Sequence, residues 1–204
     1  MTDEQLERLI EGEQDAHLRQ AYAHMRDGCR ANPAQRLWYT NWRIETRDGT
    51  PVGSLGFQGA PVNGEAELGY GIGAAHQNQG YATEAVRAVM DWAFSACDEL
   101  YFIMAEVEPD NAASRRVLEK LGFAPAGAGG EGDRFEKERP PVEWSSIYLC
   151  LGMCAGVSIG VSLGKLALCL PIGMCFGLLL GTCLDQAAQK KRAAARKARQ
   201  DRRS

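Results

Sequence analysis

From Ser146 to Leu184 the chain carries a single charge, Lys165, and few feature sets constrain a fold more. Glycines recur at every fourth position within it: Gly152, Gly156, Gly160 and Gly164, then, after Pro171, Gly173, Gly177 and Gly181. That spacing keeps each set on one helical face, where a second backbone can approach closely. In water such a helix is poor, because each interior glycine costs roughly 1 kcal/mol relative to alanine. Lipid removes the option of hydrating the backbone and tolerates glycine better. The pattern predicts two glycine-zipper helices, 146–164 and 166–184, forming a hairpin expected to be transmembrane. At about 1.5 Å per residue each spans roughly 27–28 Å, enough for a bilayer. Gly164 and Gly173 are out of phase, with Lys165 and Pro171 between them, which places the reversal there. A soluble helical hairpin packed in an oligomer is the alternative, and the glycine faces could also pair between copies.

Charge is unevenly distributed. Residues 185–204 hold eight Lys/Arg and two Asp, a net of +6, so the remainder carries −9 of the overall −3. An acidic body with a basic tail suggests a separate partner for the tail, an anionic membrane surface or nucleic acid. The membrane fits better, since a hairpin keeps both the acidic body and the basic tail in the cytoplasm, as the positive-inside rule requires. Met1–Gln5 is polar and acidic and does not read as a signal peptide, so the first domain is expected to stay cytoplasmic, anchored at the inner membrane. Five of the seven cysteines lie in the apolar stretch, where they act as small apolar residues rather than as a disulfide framework. His17, His24 and His76 are isolated, and no metal spacing is evident.

Residues 1–139 read as a domain, 140–145 as a linker beginning Pro140-Pro141, 146–184 as the hairpin and 185–204 as the tail. Within the first domain, Thr2-x-x-Gln5 predicts a capping box, followed by helical spacing at Leu6, Leu9 and Ile10. A second helix is expected over 15–29, with Leu18, Tyr22 and Met25 on one face. Strands follow over 38–45 and 52–57, joined by the turn Arg47-Asp48-Gly49-Thr50, and then over 66–72 after the turn Pro61-Val62-Asn63-Gly64. A helix over 83–96, a strand over 100–107, a helix over 111–121 and strands at 123–126 and 133–138 complete it. The order gives an α+β (mixed α/β) fold with a mostly antiparallel central sheet flanked by helices.

Two segments carry chemistry. Gln77-Asn78-Gln79-Gly80-Tyr81-Ala82 lies between a strand and a helix, where backbone N–H groups and the helix dipole attract a phosphate. Downstream, Asn111-Ala112-Ala113-Ser114 opens a helix closed by Glu119-Lys120-Leu121-Gly122-Phe123, with Asn111 suited to the N-cap and Gly122 to a left-handed C-cap. Together they resemble the GNAT superfamily of acyl-CoA N-acyltransferases, and most closely its RimJ/RimL-type branch. Gln77, Gly80 and Ala82 match the phosphate turn; Asn111, Ser114, Glu119, Lys120, Gly122 and Phe123 match the second signature. The resemblance covers roughly 1–139. It implies a first strand ahead of the first helix; this sequence opens at the helix, so either the sheet is expected to lack that edge or the start is trimmed.

The resemblance implies acetyl-CoA as co-substrate, with Gln77, Asn78, Gln79, Gly80, Tyr81, Ala82 and Thr83 around its pyrophosphate. Amides of Gly71 and Ile72 would bind the pantetheine and polarise the thioester, with Asn111 and Ser114 along the arm. Gly69, Gly71 and Gly73 alternate along the preceding strand, leaving room for another chain or marking a crowded strand. An amine acceptor is mostly protonated at neutral pH, so a carboxylate base is needed. Glu106 is the first choice, with Glu67 and Glu108 behind it. Many family members carry a tyrosine acid seven residues after the asparagine; here that position is Leu118, which leaves Ser114 to assist the departing sulfur. The expected function is a membrane-anchored N-acetyltransferase acting on a primary amine, a protein N-terminus or a small amine. The competing reading is a non-catalytic sensor or scaffold of the same fold with membrane-assembly zippers. A weaker one makes the basic tail an RNA or ribosome contact.

Overall fold

A computed structural model describes residues 3–12, 14, 16–130 and 132–203. The chain divides into two compact units, Met1–Arg139 and Pro140–Ser204. In the first, helices α1 (Asp3–Gly12) and α2 (Ala16–Ala31) form a hairpin, joined by the Arg30–Glu7 ion pair at 2.6 Å. Thr2 of the expected capping box, Asp15 and the Leu18 side chain lie outside what is described.

Six strands follow: β1 (Trp42–Glu45), β2 (Pro51–Phe57), β3 (Glu65–Ile72), β4 (Phe102–Val107), β5 (Ala124–Ala128) and β6 (Asp133–Glu138). They form one sheet in the order β1-β2-β3-β4-β6-β5, antiparallel except between β3 and β4. Helix α3 (Tyr81–Ala96) makes the β3-to-β4 crossover that a parallel pair requires, and α4 (Ala112–Lys120) precedes β5. The β3–β4 ladder holds only from Glu65↔Phe102 to Glu67↔Met104, after which the strands part. Val86, Val89, Met90 and Ala93 of α3 bury against Leu55, Phe57, Leu68 and Ile103. Alternation therefore turns Glu67, Gly69 and Gly71 to the opposite face of β3.

The first strand begins later than its sequence pattern suggests. Pro33–Trp38 is a 3₁₀ turn, and Thr40 is buried, its hydroxyl donating to the Arg36 carbonyl at 3.0 Å. Trp38 is buried from that turn, with its ring 4.8 Å from Phe57 and 4.9 Å from Trp92. An apolar residue buried by a turn looks, in sequence, like one buried by a strand. The hairpin turns are as expected: Gly49, Asn63 and Gly64 have positive φ. Arg139, closing the unit, donates to the Asp98 and Cys97 carbonyls at 2.9 and 3.2 Å beyond the end of α3.

In the second unit, α5 (Trp144–Leu163) begins inside the segment expected to be a linker. Gly164, left-handed at φ 65, and Lys165 reverse the chain into α6 (Leu166–Arg203), so the expected basic tail is a continuation of this helix. The two helices pack on their glycine faces. A Cβ on Gly152, Gly173 or Gly177 would overlap the facing backbone. The phase break between the two glycine sets is thus the reversal itself, and the faces expected to be available between copies are occupied within the chain. Asp185 accepts from the Trp144 and Ser145 amides at 2.8 and 3.0 Å, satisfying the first turn of α5. Outward lie Leu151, Ile159, Val161, Leu168, Ile172 and Phe176, all exposed. By length and composition alone, both helices could cross a membrane.

Candidate active site

The parting of β3 from β4 opens a cleft whose walls are the turn before α3 and the first turns of α4. Gly80 is the N-cap of α3 at φ 90, a conformation that favours glycine, and it supplies no capping side chain. The first intrahelical bond is Glu84 N–H to Gly80 O at 3.1 Å, so the amides of Tyr81, Ala82 and Thr83 point out of the helix end. Gln77 braces the turn against β3, its Nε2 donating to the Ile72 carbonyl at 3.2 Å. A cavity of about 440 Å³ lies here, lined by Tyr70, Gly71, Ile72, the 76–83 segment, Asn111, Ser114, Arg116 and Lys120. The sequence-predicted cofactor residues are thus gathered at one place.

Asn111 caps α4 by accepting from the Ser114 amide at 3.0 Å. Its side-chain oxygen is committed to the cap, which leaves the amide nitrogen for a ligand. The Ser114 hydroxyl lies 2.6 Å from the Tyr70 phenol, which bridges from β3 across the gap. Burial pushes the Tyr70 phenol above its ordinary 10.0, with the Ser114 hydrogen bond acting the other way. At neutral pH this phenol holds its proton. Leu118, at the position where the resemblance implied a tyrosine acid, is fully buried in the core.

A second cavity of about 450 Å³ lies against the other face, lined by His24 and Met25 of α2, Tyr39, Asn41, Ser54 and Gln58, and sharing Tyr70 and Gly71 with the first. A Cβ on Gly69 or Gly71 would meet nothing within 4 Å. These glycines keep space open rather than relieve crowding.

The three candidate carboxylates stand apart from both linings. Glu106 accepts from the Gly132 amide at 2.9 Å and lies 3.9 Å from the Arg134 guanidinium, folded under the β5–β6 loop. Glu67 accepts from Gln58 Nε2 at 2.8 Å, and Gln58 lines the second cavity. Glu108 is exposed beyond β4. Sequence reasoning did not place Tyr70, Arg116 or Lys120 in the cleft, although Lys120 stood in the second motif. The two cations are four apart on α4, one turn spacing from a helix start that already drew notice, so a signal existed. Tyr70 had none, because its role depends on a long-range meeting with Ser114.

The profile of the Acetyltransferase (GNAT) domain family matches residues 1–124. The chain belongs to that family, whose fold uses acetyl-CoA as co-substrate. Among curated relatives, the uncharacterized N-acetyltransferase YjdG of Bacillus subtilis is 38% identical over 87 residues, 42% of this chain and 51% of that one. The probable N-acetyltransferase YjcK of the same organism is 50% identical over 58 residues, 28% of this chain and 32% of that one. The chain thus spans about half or less of the curated relatives it matches. A chimera of the Vibrio cholerae spermidine N-acetyltransferase SpeG aligns over 68% of this chain and 92% of its own, at 14% identity and a TM-score of 0.50, a likeness of fold.

Proposed function

We propose that this chain is an acetyl-CoA-dependent N-acetyltransferase that acetylates a primary amine by direct attack and is held at the cytoplasmic face of a membrane by its α5–α6 hairpin. The observation that carries the reading is the meeting of two cavities at Tyr70 and Gly71, where β3 leaves β4. The diphosphate rests on the amides of Tyr81, Ala82 and Thr83, with Arg116 and Lys120 supplying positive charge. The pantetheine runs along the open edge of β3 toward Gly71. The amine enters from the second cavity, past His24, Asn41 and Gln58.

In this mechanism the neutral amine forms a C–N bond to the thioester carbonyl, and the resulting oxyanion is held by the Ile72 amide, since the alternation of the β2–β3 ladder turns the Gly71 amide toward Ser54. The C–S bond then breaks, and Tyr70, aligned by Ser114, gives its proton to the departing thiolate. The phenolate regains a proton from solvent. The proton lost by the amine passes through water to Glu67, which Gln58 links to the acceptor cavity. Glu106, engaged by Gly132 and near Arg134, supports the β5–β6 loop instead. The outward apolar surface of α5 and α6 and the Trp144–Tyr148 ring pair, 6.2 Å apart at the end of α5, support the membrane anchor.

The test is CoA release by the full-length chain with acetyl-CoA and a panel of peptides, polyamines and small amines. Glu67→Gln is expected to lower kcat roughly 10²-fold, whereas Glu106→Gln leaves kcat within about threefold and lowers stability by ~1 kcal/mol. Acetyl-CoA binding with no turnover on any amine contradicts the catalytic reading and favours a sensor. Recovery of the full-length chain from carbonate-washed membranes in the soluble fraction contradicts the anchor.

A further inference from the structure

The basic end of α6 has no core of its own. Past Asp185 the helix continues to Arg203 through alanine, glutamine, lysine and arginine, without a leucine, isoleucine, valine or phenylalanine. Lys190, Lys191, Arg196 and Lys197 are exposed. At 100° per residue they lie around the helix rather than along one stripe, and alanines fill the gaps. No apolar face exists for a protein groove, so charge is the means by which this segment can hold a partner.

Its position selects the partner. Asp185 is fixed to the first amides of α5, and the Trp144 and Tyr148 rings lie at the same end of the hairpin. Arg192 also holds that end, donating to the Pro140 carbonyl at 2.7 Å. Lys190 follows Asp185 by five residues, about 7–8 Å along the helix. That distance is within the roughly 8–10 Å over which charge acts at physiological salt. If the hairpin spans a bilayer, the first lysines are held at headgroup height at all times, whereas RNA must be captured from solution.

We propose that the part of α6 just past Asp185 binds anionic phospholipid headgroups, through Lys190 and Lys191, and so gives the anchor a preference for negatively charged membrane. This rests on the membrane reading of α5 and α6. The charged arm replaces mobile counterions at the leaflet surface, so its attachment weakens with salt.

The experiment uses the full-length chain in nanodiscs of phosphatidylcholine alone or with about one third phosphatidylglycerol. Insertion is read separately, as protection of Cys154, Cys169 and Cys175 from a membrane-impermeant maleimide. Attachment is read by mass spectrometry as the rate of tryptic cleavage after residues 190–197. With the cysteines protected in both lipids, cleavage is expected to be about tenfold or more slower in the anionic discs. The protection should vanish in 0.5 M NaCl and, read after Arg192, in the variant with Lys190 and Lys191 both changed to Gln. Equal cleavage in the two lipids with the cysteines protected overturns the lipid proposal and leaves the anchor standing. Protection by poly(U) in neutral discs matching that of anionic lipid also overturns it, in favour of RNA. Cysteines labelled in both discs overturn the anchor, and with it this proposal.

Discussion

Tyr70 decides more than any other side chain how the cleft can work. Its phenol reaches across the gap that opens when β3 leaves β4, and meets the Ser114 hydroxyl at 2.6 Å. Burial raises its pKa, so at neutral pH it is a donor rather than a phenolate. Tyr70→Phe removes that donor with little change in volume and is expected to lower kcat about 10²-fold while KM for acetyl-CoA changes less than about threefold. Linkage gives a second readout. A group whose pKa is higher in the folded state leaves stability unchanged below its ordinary value and reduces it as pH rises above that value. Chemical denaturation of the wild type is therefore expected to show falling stability above pH 10.0, with part of that slope missing in Tyr70→Phe. An unchanged kcat in Tyr70→Phe would assign proton delivery to Ser114 alone or to water.

At the level of elements, two helix starts and one hairpin do most of the work, and their legibility in sequence differs. Asn111 at the start of α4 and Gly122 after its end act through neighbouring backbone, and both roles could be read from residue type and spacing. Gly80 was readable for the same reason. The glycine repeats announced two close-packed helices, but that the two faces meet within one chain followed only from the reversal at Gly164 and Lys165. Trp38 reads as a strand residue in sequence because an apolar pattern alone does not distinguish a strand from the 3₁₀ turn that buries it. The carboxylates were the least legible. Alternation placed Glu106 on a face, but only the β5–β6 loop, through the Gly132 amide, shows what it is bound to. The hairpin also carries a prediction of its own. The Ser145 hydrogen bonds hold Asp185 below its ordinary 3.8. A depressed pKa contributes stability above the ordinary value that is lost as pH falls through the folded one. Protection of the Trp144 and Ser145 amides, taken relative to the unstructured exchange rate at each pH, is expected to fall below pH 3.8, and at neutral pH in Asp185→Ala. Slow exchange in Asp185→Ala would mean that the α5 start is held by other contacts.

At the scale of the whole molecule, the proposed function divides between the two compact units, with donor binding expected of 1–139 and location of 140–204. The claim on which the rest depends is that the amides exposed before α3 hold the diphosphate of acetyl-CoA. Isothermal titration of the full-length chain in detergent measures it most directly, with Gly80→Glu as the comparison. That substitution forces a side chain into a backbone conformation at φ 90 and sets a negative charge against the phosphates. The account predicts a Kd of about 1–100 µM for the wild type and binding at least ~tenfold weaker in Gly80→Glu, with the thermal midpoint of the free protein reported for both. Absence of heat from the wild type, or equal affinity in the two proteins, would contradict it.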